Sequence, residues 1–356
     1  MTESMLRARS ARAADALALV AALQSRFGEG LEHLSARLGH PLDLERPSWL
    51  RDGGSHGGGT RWVLTERTPV FDRVAINVSQ VHYDDLPERR LGSATALSTI
   101  IHPAHPRAPS VHMHFSYTEP RGEEGYWRVM ADLNPSLANA PETSAAKEVF
   151  DENLRRALGP LADSAIAQGD KYFDIPAAGR RRGVSHYYLE QMRSGGFEAE
   201  LSFVRQVAET AINTYLLILA ERAAEGGEPT EPDRSRQLEY HTLYFFQVLS
   251  LDRGTTSGLL VHDQNDEGIL GSLPSRVDPK VLLQWRERMP PPQEELLDAL
   301  LGELGETEGP VEVDRALKLR LAAAVRAHYR RHPEAVHLQA TGGIVPPTVA
   351  NHEASR

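Results

Sequence analysis

The stretch VHMHFS, Val111 to Ser116, carries the signal on which the fold turns. In an extended strand alternate side chains share a face, so Val111, Met113 and Phe115 point one way and His112, His114 and Ser116 the other. The first set is a core face. On the second, His112 and His114 stand about 7 Å apart at Cα, close enough to ligate one metal together or to act as acid and orienter. Immediately upstream, HPAHPRAP (His102 to Pro109) is a proline-rich turn in which His105 reads as a solvent-exposed residue.

Strand-like segments surround this one. RWVLTERTPVFDRVAINVSQV (Arg61 to Val81), ATALSTIIHP (Ala94 to Pro103) and GYWRVMADLNP (Gly125 to Pro135) alternate in the same way and end in turn residues, and RDGGSHGGGTRW (Arg51 to Trp62) reads as a glycine-rich hinge. Further on the period changes. ETSAAKEVFDENLRRAL (Glu142 to Leu158) and the run from Ala199 to Ala224 repeat apolar residues every three or four positions, with Phe203, Val207, Ile212, Leu216 and Leu219 on one stripe. The N-terminal ALALVAAL (Ala16 to Leu23) is likewise an amphipathic helix, with Leu17, Val20, Ala21 and Leu23 on one side, and not a membrane span or signal peptide.

EYHTLYFFQVLSLDRGTTSGLLVH (Glu239 to His262) and GILGSLPSRV (Gly268 to Val277) read as returning strands joined at a DRGT turn. Strands, then helices, then strands make an α+β domain whose antiparallel sheet is covered by helices. It is expected over residues 1–290, followed by a helical extension over 291–340 and a disordered tail over 341–356. The extension carries QEELLDALLGEL (Gln293 to Leu304), whose apolar face either packs on its own domain or docks a carrier or peptide partner. On the last helix His328 and His332 read as solvent-facing among arginines.

Composition narrows the function. A formal charge of -10 argues against sequence-independent nucleic-acid binding, which needs dense Lys and Arg. With no cysteine, thiolate catalysis, iron–sulfur clusters and Cys-based zinc sites fall away together, and any metal must rest on His, Asp or Glu. A cytoplasmic enzyme without membrane association is the expectation.

Six segments, in order from about Trp49 to Trp285, resemble the oxygen-dependent coproporphyrinogen III oxidases. These are GGGTRWVLTERTPVFDRVAINVSQV (Gly57 to Val81), STIIHP followed by VHMHFSY, ADLNP (Ala131 to Pro135), KYFDIPAAGRRRG (Lys171 to Gly183), LDRGTTSGL (Leu251 to Leu259) and EGILGSLP (Glu267 to Pro274). The resemblance implies a large flat antiparallel sheet sandwiched between helices, a homodimer, and O2-dependent oxidative decarboxylation of porphyrinogen propionates without an organic cofactor. It matches Asp132 to a pyrrole-facing carboxylate, His112 to a proton donor, Arg182 to an arginine before glycine, Ser98 to a substrate-contacting serine and His102 to a histidine assigned to metal. Singly, Asp132 could cap a turn and Arg182 belong to a solvated run; jointly, in family order, they mark a site.

The departures fall on substrate-binding positions. His114 and Ser116 stand where the family strand has Asn and Arg, and Asp263, Gln264 and Asn265 where it has Gly-Gly-Arg. Losing a charge-assisted grip on a carboxylate costs about 1.5–3 kcal/mol, unless Arg107, Arg180 or Arg181 compensates. The added histidines suggest a site for iron, copper or manganese on His102, His112 and His114, with His186 and Asp132 as further donors. Three functions follow: an oxidase of the family type on its tetrapyrrole substrate, a metal-dependent O2-using enzyme on a smaller carboxylate or a peptide, and a non-catalytic tetrapyrrole-binding protein.

Overall fold

The structure is a computed structural model that describes residues 5–224, 227–345 and 347–352. Helix α1 (Ala11–Arg37) leads into β1 (Ser48–Leu50), β2 (Gly57–Val63) and four long strands, β3 (Phe71–His82), β4 (Leu91–Pro103), β5 (Ser110–Pro120) and β6 (Tyr126–Asn134). Helices α2 (Pro141–Leu158) and α3 (Ala162–Tyr172) follow, then a short hairpin of β7 (Asp174–Ile175) and β8 (Arg180–Arg181), and β9 (Ser185–Met192). The main sheet has seven antiparallel strands in the order β1-β2-β3-β4-β5-β6-β9. Its layered α+β architecture is the expected one.

The alternation in VHMHFS sorts the two faces. Val111, Met113 and Phe115 are fully buried in one core with α1, α2 and α4 (Phe197–Ala224). On α1 the buried residues include Ala16, Leu19, Val20, Leu23, Phe27 and Leu31, so the stripe is rotated from the expected one: Leu17 is only partly buried and Ala21 is exposed. The glycine-rich hinge is a strand pair instead: Gly57, Gly58 and Gly59 pair in register with Val81, Gln80 and Ser79.

The opposite face is covered by α5 (Glu231–Ser250), α6 (Arg253–Val261), α7 (Asp266–Ile269), α8 (Pro279–Leu283), α9 (Gln293–Leu304) and α10 (Arg315–Arg331). The expected strands from Glu239 to His262 and at Gly268 to Val277 are mostly helical. From Tyr240 to Ser250 every side chain of α5 is buried, so the helix shows no amphipathic period, and its aromatic content mimics a strand. A capping box of Thr230 and Asp233 with proline in the first turn marks its start.

Residues beyond 290 belong to the same body. Leu296, Leu297, Leu300, Leu317 and Leu321 share one core with Phe245 and Phe246 of α5, so the apolar face of α9 is spent internally and not left for a carrier or peptide. His328 is fully buried and hydrogen-bonded to Gln293, not solvent-facing. The described part of the tail expected to be disordered from residue 341 docks, together with Gln339 and Ala340 before it, as a strap. Arg253 donates to the carbonyl oxygens of Gln339 and Ala340, and Glu190 accepts from the Gly342 and Ile344 N–H groups. Arg89 holds the His352 carbonyl, and the His352 ring meets Tyr83 Oη at 2.8 Å.

Candidate active site

Register places the chemistry. Ser98 pairs with His114, His112 with Asp132, His114 with Met130 and Ser116 with Arg128, while Asp132 and Met130 pair on β9 with His186 and Tyr188. Cross-strand partners share a face, so these side chains all project from the side of the sheet away from the α1 core. A cavity of about 280 Å³ lies over them, roofed by α5, α6 and α7 and by Thr348, Asn351 and His352 of the strap.

At one end His112 Nδ1 meets Asp132 Oδ1 at 2.8 Å, and Asp132 Oδ2 accepts from Arg182 Nη2 at 2.8 Å and from Asn134 Nδ2 at 2.6 Å. Asp132 has no exposed surface, and burial alone would raise its pKa; the Arg182 guanidinium and His112 outweigh this and hold the carboxyl below its ordinary value. Burial works against the Arg182 charge too, and Asp132 reverses that, keeping the guanidinium firmly protonated. Arg182 also lies 4.7 Å from the Phe173 ring centre and 4.9 Å from that of Tyr244, a double cation–π contact. Gly183 makes the inward turn of Arg182 possible: its φ is +82°, and a Cβ there would come within 2.5 Å of Asn134 Oδ1. Arg180 and Arg181, two and one residues before Arg182, pair with Glu239 and Asp170 outside the cavity.

The three residues expected to be catalytic therefore meet, with one change of role. Asp132 does not line the cavity; it sits behind His112, which does. With Nδ1 turned to the carboxylate, His112 presents Nε2 to the cavity, the arrangement of an oriented proton-transfer group.

The expected metal donors are not gathered. His102 is fully buried away from the cavity, with Nδ1 2.9 Å from Ser110 Oγ and its ring packed 4.7 Å from Tyr244 and 5.0 Å from His241. His186 has both ring nitrogens engaged, by Asp170 and by the Arg182 carbonyl. His114 Nε2 is 3.0 Å from Ser116 Oγ. Among the described residues no three His, Asp or Glu side chains are placed to hold one ion. The physical reason is register: two strand positions separate His102 from the face-mate of His112, and α5 closes over it.

Of the expected substrate contacts, Ser98, His114, Ser116 and Asn265 line the cavity, whereas Asp263 and Gln264 are exposed, and Gln264 hydrogen-bonds Asp52. The expected substitutes Arg107, Arg180 and Arg181 lie outside it. Sequence reasoning passed over Arg128, Tyr172, Tyr188, Tyr244 and Arg253, which all line it. The signal for Arg128 was present: it lies four residues before Asp132 in a strand, hence on the same face.

Residues 16–303 match the family model described as coproporphyrinogen III oxidase. Among curated proteins, the oxygen-dependent coproporphyrinogen-III oxidase of Rickettsia akari (strain Hartford) is 29% identical over 261 residues, covering 69% of this chain and 88% of the relative. The protein of the same name from Rickettsia bellii (strain OSU 85-389) matches to the same extent, and that of Rickettsia rickettsii (strain Sheila Smith) is 29% identical over 252 residues, covering 67% and 85%.

Proposed function

The chain belongs to the coproporphyrinogen III oxidase family, and from that premise we propose that it is an oxidoreductase that uses O2 to convert carboxylate side chains of a porphyrinogen to vinyl groups, without an organic cofactor. The observation that carries this reading is the His112–Asp132–Arg182 chain at the wall of a cavity on one sheet face. In the balanced reaction each propionate loses CO2, and the electron pair of the broken C–C bond becomes the new double bond. The hydride equivalent from the adjacent carbon, with one proton, reduces O2 to hydrogen peroxide. Here His112 Nε2 takes the pyrrole N–H proton, which raises the electron density available to O2, and returns it to the ring nitrogen once CO2 has left, while the proton that completes the peroxide comes from water. Asp132 fixes the tautomer and stabilises the imidazolium, and Arg182 keeps Asp132 ionised. A homodimer, on the strength of the resemblance, and a cytoplasmic location, on the reading of the N-terminal segment as an amphipathic helix, accompany this proposal.

One observation favours a second reading, a smaller carboxylate as substrate: with the strap in place the cavity is at the small end of ordinary ligand pockets. Freshly reduced coproporphyrinogen III in aerated buffer separates the two. Two successive losses of CO2 by mass spectrometry, with peroxide released in step, are expected. No loss from a folded protein would leave the smaller carboxylate as the reading to pursue.

A further inference from the structure

Arg128 stands apart from the other arginines at the cavity. Arg182 is spent on Asp132, and Arg253 on the Gln339 and Ala340 carbonyls. Arg128 projects from the cavity floor, directly across the strand pair from Ser116, and its Nε is buried without a hydrogen-bond partner. Among the described residues no carboxylate lies within ion-pair distance of it. Glu190, the acid whose charge reaches it, already accepts from Tyr188 Oη and from two strap N–H groups. Burial opposes the charge of this half-buried guanidinium, but Tyr188, Tyr126 and Glu190 outweigh it and hold Arg128 protonated, a cation with no ion pair of its own at the cavity among the described residues.

Its neighbours are built for the same task. Ser116 and His114 line the cavity beside it and are hydrogen-bonded to each other, so the hydroxyl is held in place. Burial, Arg128 and His112 push His114 down to about 3, so it stays a neutral hydrogen-bonding group next to the guanidinium. Arg128 is four residues from Asp132 on β6, about 13 Å along the strand. The cation and the proton-handling end are thus two separate poles of one cavity.

We infer that Arg128, assisted by Ser116 and His114, is a carboxylate-binding subsite that anchors an acidic side chain of the substrate about 13 Å from His112. The inference rests on the porphyrinogen reading for its substrate and deepens it: the ligand is a polycarboxylate wide enough to reach both poles, and the arginine that position 116 lacks is supplied from the facing strand.

The test is equilibrium binding of the unreactive porphyrin coproporphyrin III, and of its uncharged tetramethyl ester, to wild type, Arg128→Gln and the exchange variant Ser116→Arg/Arg128→Ser, followed by fluorescence. Arg128→Gln is expected to weaken the tetracarboxylate by about ten- to a hundredfold, the range of one charge-assisted pair, and to leave the ester unchanged. The exchange variant is expected to recover most of the loss, because it returns a guanidinium to the same cross-strand position. The melting temperature and far-UV circular dichroism of Arg128→Gln are measured alongside, to show that the variant compared is folded. Equal tetracarboxylate binding by wild type and a folded Arg128→Gln overturns the subsite. If wild type binds neither porphyrin, the melting shift with glutarate decides: a shift in wild type that Arg128→Gln lacks keeps the subsite and sinks only the macrocyclic substrate, and equal shifts overturn the subsite.

Discussion

At the scale of single residues, Asp132 and His112 should separate cleanly. His112 is partly exposed at the cavity wall, so His112→Ala should leave the fold intact and reduce turnover by a factor of about 10² or more, the usual contribution of a positioned acid–base group. Asp132→Ala cannot be so benign, because it leaves the Arg182 guanidinium buried and unpaired, which costs about 3–5 kcal/mol. The check is to measure both melting temperature and kcat for the two variants: equal melting temperatures would mean the Asp132–Arg182 pair is not holding the site together. Much of this site was legible beforehand. Strand alternation places His112, His114 and Ser116 on one face, and the family order of motifs points to Asp132 and Arg182. It was not legible that Asp132 lies behind His112, because a strand pattern gives the face of a residue but not the partners that cover it.

Histidine protonation gives a second prediction at this scale. His114 and His352 are held down to about 3 and His328 to about 4, each by burial first and then by neighbouring cations or, for His328, by His332 and Arg331. His102 and His262 are pushed well below their ordinary value for the same reason. All have folded values below the unfolded one near 6.5, so the unfolded chain binds more protons in that window. Their stabilising contribution is complete above about pH 6.5 and is lost as pH falls from there towards 4. The depressed Asp132 adds a loss only below its unfolded value of about 3.8. Melting temperature should therefore fall steadily from pH 7 to pH 4, and His114→Asn should flatten the slope; a constant melting temperature over that range would contradict the neutral assignment.

At the scale of elements, the strap is the part that composition misjudged. Its residues are glycine, proline and small polar types that lack a packing period, and what fixes them is a set of long-range acceptors and donors. Glu190 accepts from the Gly342 and Ile344 N–H groups, and Arg253 donates to the Gln339 and Ala340 carbonyl oxygens. Glu190→Gln replaces a charged double acceptor by a neutral amide, weakening hydrogen bonds to a charged group that are worth about 1.5–3 kcal/mol. Hydrogen exchange over residues 341–345 should quicken in that variant while strands β3 to β6 keep their protection. If exchange in the segment is unchanged, Glu190 does not hold the strap. Helix α5 fails to show in the sequence for the opposite reason: buried on every side, it carries no contrast between faces, and only its capping box announces it.

At the scale of the molecule, the sheet separates two cores, and the second reaches from Ala75 and Ile100 through α5 to α9 and α10. Because Leu297 and Leu300 pack in the core that also holds Phe245 and Tyr244, residues beyond 290 are structurally continuous with the cavity roof, where Tyr244 lies over Arg182. A division of the chain at 290, drawn where the resembling motifs end and further helical patterns begin, misses this, since nothing in a sequence reports which long-range surface covers an amphipathic helix. Leu297 is fully buried, so Leu297→Ala should cost about 2–5 kcal/mol through lost burial and a cavity. The cost should appear as a downward shift of one calorimetric transition, accompanied by weaker porphyrin binding as the roof loosens. If α9 and α10 were an independent extension, the variant would instead split off an early transition containing only those helices and leave binding untouched. The shared core predicts the first outcome, and with it that the C-terminal helices are a structural condition of the active site, not an appendage to it.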